Sequence, residues 1–138
     1  MKFTTKQINR YSRQIILKKI GIIGQKKLLK SSVLIVGAGG LGSPIAIYLT
    51  SLGVGKIGLI DKDNIEMSNL ARQIIFDTKD IKKNKSSVAI KKLKKINPDL
   101  NFKSFNKKLT KKNIKYIAKD FDLLVDGSDN FRTRFLIN

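Results

Sequence analysis

The chain has 138 residues, 41% of them hydrophobic, which is enough to bury one domain core and excludes a disordered tail. It has no Cys and no His, which excludes disulfides, a cysteine nucleophile and ordinary zinc ligation, so any catalysis falls to Asp, Lys, Arg and backbone groups. The net charge of +19 comes from 24 Lys and only 5 Arg, scattered in ones and twos beside abundant Ile and Asn. That pattern fits A/T-rich codon usage better than a phosphate-binding face, and it predicts no specific nucleic-acid partner. No apolar run approaches the roughly 20 residues that span a bilayer. The first residues lack a signal peptide's apolar stretch, so a cytoplasmic protein without membrane partners is expected.

Along the chain, residues 7–17 carry Ile8, Tyr11, Ile15 and Ile16 at helical spacing, and a second short helix is expected over 24–30. Residues 32–36 are apolar and of strand length, and 41–52 are apolar nearly all round, like a helix packed on a sheet. Residues 56–60 form a second buried strand that delivers Asp61 at its end. The stretch 62–83 reads as irregular with a short helix around 67–72, followed by a helix over 86–96 that Asn97-Pro98 stops. A strand over 101–105, a helix over 110–119 with Thr110 as N-cap, and a strand over 122–125 complete the alternation. A last helix begins at Asn130 or Phe131. Strands alternating with helices predict an α/β fold: a Rossmann-like, doubly wound, mainly parallel sheet, cut off after about four strands. With only two Pro and no linker, residues 1–138 read as the front, nucleotide-binding part of a larger domain.

Gly37-Ala38-Gly39-Gly40-Leu41-Gly42 follows a strand and opens a helix, in the pattern G-x-G-x-x-G. Its glycines permit a tight turn and let backbone N–H groups approach phosphate oxygens at a helix N-terminus. Asp61, at the end of the next strand, is suited to a ribose. These two features fit NAD as well as ATP. The segment beginning at Asp61 separates the two: residues 61–73 hold Ser68, Asn69, Leu70, Ala71, Arg72 and Gln73, with polar groups that have no obvious use in a dinucleotide site. Lys85 and Asp129-Asn130 would converge on the same sheet edge, although a solvated Lys and a helix N-cap are the plain alternatives. All five arginines (Arg10, Arg13, Arg72, Arg132 and Arg134) fall inside such segments, and Arg makes bidentate phosphate contacts that Lys cannot copy.

Arg10-Tyr11-Ser12-Arg13-Gln14-Ile15, the glycine turn, residues 61–73, Lys85 and Asp126-Gly127-Ser128-Asp129-Asn130 together resemble the ThiF/MoeB family. These are adenylyltransferases of sulfur carrier proteins in thiamine and molybdopterin biosynthesis, related to ubiquitin-activating enzymes. The resemblance implies that Gly37, Gly39, Gly40 and Gly42 cradle ATP and that Asp61 holds its ribose. It implies phosphate contacts from Asn69, Arg72 and Lys85, further nucleotide-binding positions at Ser68, Leu70, Ala71 and Asn130, and Mg²⁺ held with the help of Asp129. Arg13 is expected to reach into a partner subunit's site in a homodimer. Arg72, Lys85, Asp129 and Arg13 are thus the implied catalytic set, and a ubiquitin-like sulfur carrier (ThiS- or MoaD-like) the implied partner. Ser12 and Ile74 lean towards the thiamine pathway. The family's later part usually supplies Cys-x-x-Cys zinc ligands, and this sequence has no zinc ligands of that kind. Two alternatives remain: a non-catalytic remnant that binds nucleotide or partner only, and an NAD(P)-binding oxidoreductase domain.

Overall fold

The computed structural model describes residues 2–138. Helix α1 (Thr5–Ile15) starts earlier than its apolar spacing suggests, because Thr4 caps it. Thr4 Oγ1 accepts from the Gln7 amide (3.2 Å), and Gln7 Oε1 accepts from the Thr4 amide (3.0 Å). Tyr11 is the one buried residue of this helix, and its hydroxyl accepts from Asn97 Nδ2 at 2.9 Å. That bond ties α1 to the end of a helix 86 residues away. Helix α2 (Gly21–Lys30) leads into β1 (Ser32–Val36), then come α3 (Gly42–Leu52) and β2 (Lys56–Ile60). The expected helix around 67–72 is only a 3₁₀ turn (Met67–Asn69), and a second such turn covers Thr78–Asp80. Helix α4 (Lys85–Ile96), β3 (Asn101–Phe105), α5 (Ile114–Ala118), β4 (Leu123–Asp126) and α6 (Phe131–Ile137) follow.

One capping expectation fails. Thr110 does not cap α5, which begins four residues later. Instead Asn113 Oδ1 accepts from the Thr110 amide (2.8 Å), while Asn113 Nδ2 donates to the Lys108 carbonyl (2.8 Å). The Asn side chain folds residues 108–113 into a turn and leaves room for little more than one turn of helix.

All four strands are parallel, in the order β3-β2-β1-β4. The alternation of β1 divides the core: Val33 and Ile35 face Ala46, Val88, Ala89 and Leu93 of α3 and α4, whereas Leu34 and Val36 face Ile117 and Phe121. The chain steps outward from β1 through β2 to β3, then returns to the other side of β1 as β4. The order therefore reverses between β1 and β4, and a crevice opens there at the carboxyl edge.

Candidate functional site

Two glycine turns meet in that crevice. Gly37, with φ of +93°, sits where a Cβ would come within 2.9 Å of the Gly127 carbonyl oxygen. A Cβ on Gly42 would fall 1.8 Å from the Gly37 oxygen, so only glycine lets α3 begin here. Asp61 fixes the turn from below: its Oδ2 accepts from the Ala38 amide and its Oδ1 from the Asp63 amide, both at 2.8 Å. One lone pair on each oxygen remains for other donors. Asn84 gathers the remaining walls. Its Nδ2 donates to the carbonyls of Asp61 and Asp63 and to Asn106 Oδ1, while its Oδ1 caps α4 through the Ser87 amide. This places Lys85, the first residue of α4, at the cleft.

The result is a cleft of about 410 Å³. Of the residues singled out in the sequence, Gly37, Gly39, Gly40, Asp61, Asn69, Arg72, Lys85, Asp129 and Asn130 line it. Gly42 lies buried beneath the turn, and Ser68, Leu70 and Ala71 are not part of the lining. Ser68 acts through its carbonyl, which accepts from Arg72 Nη1 at 3.0 Å, and Leu70 packs on the core. Arg13 is exposed on α1, away from the cleft. The sequence marked Gln73 and Lys62 only as part of the segment 61–73 and assigned no place to Lys107, Lys108, Leu109 or Thr133, yet all line the cleft. The loop after β3 reaches the cleft because a parallel sheet brings every strand's carboxyl end to one edge, a signal that the strand spacing already carried.

Charge in the cleft is unevenly satisfied. Lys85 is only 8% exposed and has no acceptor among the described residues. Asp129 likewise has no hydrogen bond or ion pair there, and it does not cap α6: Asn130 Oδ1 does so, accepting from the Thr133 amide at 2.8 Å. Asn69 Oδ1 accepts from the Glu66 amide, which leaves its Nδ2 free toward the cleft. By contrast Asp126, just behind, is fully engaged. Burial works against its charge, but Ser128 Oγ (2.6 Å), the Ser128 amide (2.9 Å) and Arg134 Nε (3.5 Å) outweigh it. Its carboxyl is thereby held below the usual carboxylate range. Lys62, Arg72, Lys85, Lys107 and Lys108 outnumber Asp61, Asp63 and Asp129, so the cleft favours a multiply charged anion. No three acidic side chains cluster among the described residues. A divalent cation here would depend on Asp129 together with the phosphates of a bound nucleotide, the donor set usual for Mg²⁺.

Fold and cleft define a Rossmann-like α/β domain with its ligand crevice at the point where strand order reverses. The ThiF family profile matches residues 11–138, and the chain belongs to that family. It is 44% identical over 138 residues to the sulfur carrier protein adenylyltransferase of Thermus thermophilus, covering all of this chain and 51% of that protein. It is 46% identical over 129 residues to the sulfur carrier protein ThiS adenylyltransferase of Escherichia coli, covering 94% of this chain and 51% of the relative. The chain therefore spans about half the length of these relatives. Among solved structures, E. coli tRNA N6-threonylcarbamoyladenosine dehydratase, TcdA, in complex with ATP superposes with a TM-score of 0.87. It is 23% identical, with 99% of this chain and 56% of that one covered, a likeness of fold. No helix among the described residues is long and apolar enough to cross a membrane.

Proposed function

We propose that the cleft binds ATP and that the protein adenylates the C-terminal glycine carboxylate of a ubiquitin-like sulfur carrier protein. The observation that carries this reading is a largely buried Lys85 without an acceptor among the described residues, in one cleft with the glycine turn and the exposed Asp129. The Lys85 stem is buried while its ammonium is not sealed from the cleft and has no acceptor among the described residues, so a phosphate there would supply one. Gly39 and Gly40 would present backbone N–H groups to the phosphates, and Asp61 would accept from the ribose hydroxyls. Arg72 and Lys85 would hold the β- and γ-phosphates.

The incoming carboxylate is already ionised at neutral pH, so no general base is needed. One of its oxygens bonds to the α-phosphorus, the bond to the bridging α–β oxygen breaks, and pyrophosphate leaves with that electron pair. No proton moves. The work of the chain is to align two anions and offset their repulsion. Mg²⁺, when bound at Asp129 and the phosphates, would supply further neutralisation of that charge. Arg13 would complete the site of a second copy in a homodimer. The carrier of the thiamine or the molybdopterin pathway fits equally at this level.

The test is ATP–pyrophosphate exchange with ThiS- and MoaD-like carriers. Carrier-dependent exchange is expected, together with ATP binding by the protein alone. NAD binding without ATP binding would overturn the reading. ATP binding without exchange would favour a role in nucleotide binding without turnover.

A further inference from the structure

One buried polar side chain in the cleft wall has no partner. Gln73 is 4% exposed, and its Oε1 is sealed from solvent with no hydrogen bond among the described residues. The residue nonetheless lines the cleft. Its Nε2 lies against the glycine turn, 3.9 Å from where a Cβ on Gly39 would stand. The backbone on either side is fixed, since the Gln73 amide donates to the Asn69 carbonyl (2.9 Å) and the Gln73 carbonyl accepts from the Phe76 amide (3.0 Å). Ile75 and Phe76 anchor the same segment in the core.

Packing alone does not account for an amide at this position. A methionine would fill similar space, whereas the amide keeps Oε1 sealed in the protein and leaves Nε2, a donor with no acceptor among the described residues, against the glycine turn. Nε2 is not sealed as Oε1 is, and the polar surroundings it meets are those of the cleft. They are its phosphate end, because the second glycine of G-x-G-x-x-G is where the backbone comes closest to phosphate. Arg72 next door is exposed, and its guanidinium rests on the Ser68 carbonyl. Gln73 differs in being neutral, buried and already in place, a donor that needs no reordering when an anion arrives.

We propose that Gln73 is a further nucleotide-contacting residue whose Nε2 donates to a phosphate oxygen lying against Gly39. This role rests on ATP being the ligand of the cleft. The test compares wild type, Gln73→Met and Gln73→Glu for ATP affinity, adenosine affinity and thermal midpoint. Gln73→Met is expected to weaken ATP about tenfold and leave adenosine unchanged. Its thermal midpoint should stay the same or rise, because the orphaned amide is gone. Gln73→Glu should weaken ATP further by placing a carboxylate beside phosphate. A Gln73→Met protein that binds ATP like wild type sinks this role alone, and so does a loss of ATP affinity matched by an equal loss for adenosine or by a lower midpoint. Wild-type protein that binds no ATP sinks the nucleotide reading and this role with it.

Discussion

The two ends of the sheet treat charge in opposite ways. At the amino end, charges are paired off. Asp122 Oδ2 accepts from the Ser32 amide and hydroxyl (both 2.7 Å), and Lys56 donates to the Asp120 carbonyl (2.8 Å) while Lys103 pairs with its carboxylate (3.2 Å). Along the flank of α4, Lys92 bridges Asp77 and Asp80. At the carboxyl end, Lys85 and Asp129 stand without partners and Gln73 keeps an orphaned oxygen. The difference lies in charge and not in every polar atom: Gln25 Oε1, Thr50 Oγ1 and Asn97 Oδ1, away from the cleft, lack partners as well. The contrast separates residues that hold the fold from residues that wait for something to bind.

Substitutions can break or sharpen that division. The largest effect is expected where the two roles coincide: Gly42→Ala drives a Cβ into the Gly37 carbonyl and should cost more than about 3 kcal/mol, read as loss of cooperative unfolding or of soluble protein. Asp129→Ala should lower carrier-dependent exchange at least about a hundredfold with an unchanged thermal midpoint, and normal exchange would remove Asp129 from the site. Lys85→Met should weaken ATP about ten- to a hundredfold while stability holds, since the methionine keeps the buried stem packed and the ammonium has no partner to lose among the described residues. A clear fall in stability would instead assign Lys85 to the fold. Asp122→Ala, at the other end, should lower the thermal midpoint modestly and leave ATP affinity untouched.

The smallest effect is one of pH. The Lys92 ammonium, then the Lys79 amide, hold Asp77 below its ordinary value, so its contribution is complete above about pH 4 and fades as pH falls through the lowered pKa. Burial pushes Lys92 down, but its bonds to Asp77 and Asp80 leave it raised above 10.5, so its share persists at neutral pH and is lost on the alkaline side. The difference in thermal midpoint between wild type and Lys92→Met should be flat between about pH 5 and 9 and shrink outside that window.

The same division explains what was readable in the sequence. Strands β1 and β2, the glycine turn and Asp61 stood out because continuous apolar runs and a G-x-G-x-x-G spacing have few other uses. Residues 67–72 and Thr110 misled, because local propensity favoured helix and a cap where Asn69 and Asn113 side chains captured backbone groups instead. Lys107 and Lys108 could not be told from the chain's other lysines without the register that carries the end of β3 to the cleft. Gln73 could be seen as part of a motif, but its missing partner is visible only once its neighbours are in place.

The close fit between the two glycine turns has a consequence for the order of events during synthesis. The Gly127 turn backs directly onto Gly37 and Gly42, and β4 joins β1 only after β2 and β3 have been made. A nascent chain can thus lay down three strands while the cleft still lacks the wall that carries Asp129. Ribosome-bound chains stalled before Gly127 is released are expected to leave ATP unretained. Those long enough to seat residues 127–130 should hold it, so nucleotide binding would report the arrival of the fourth strand.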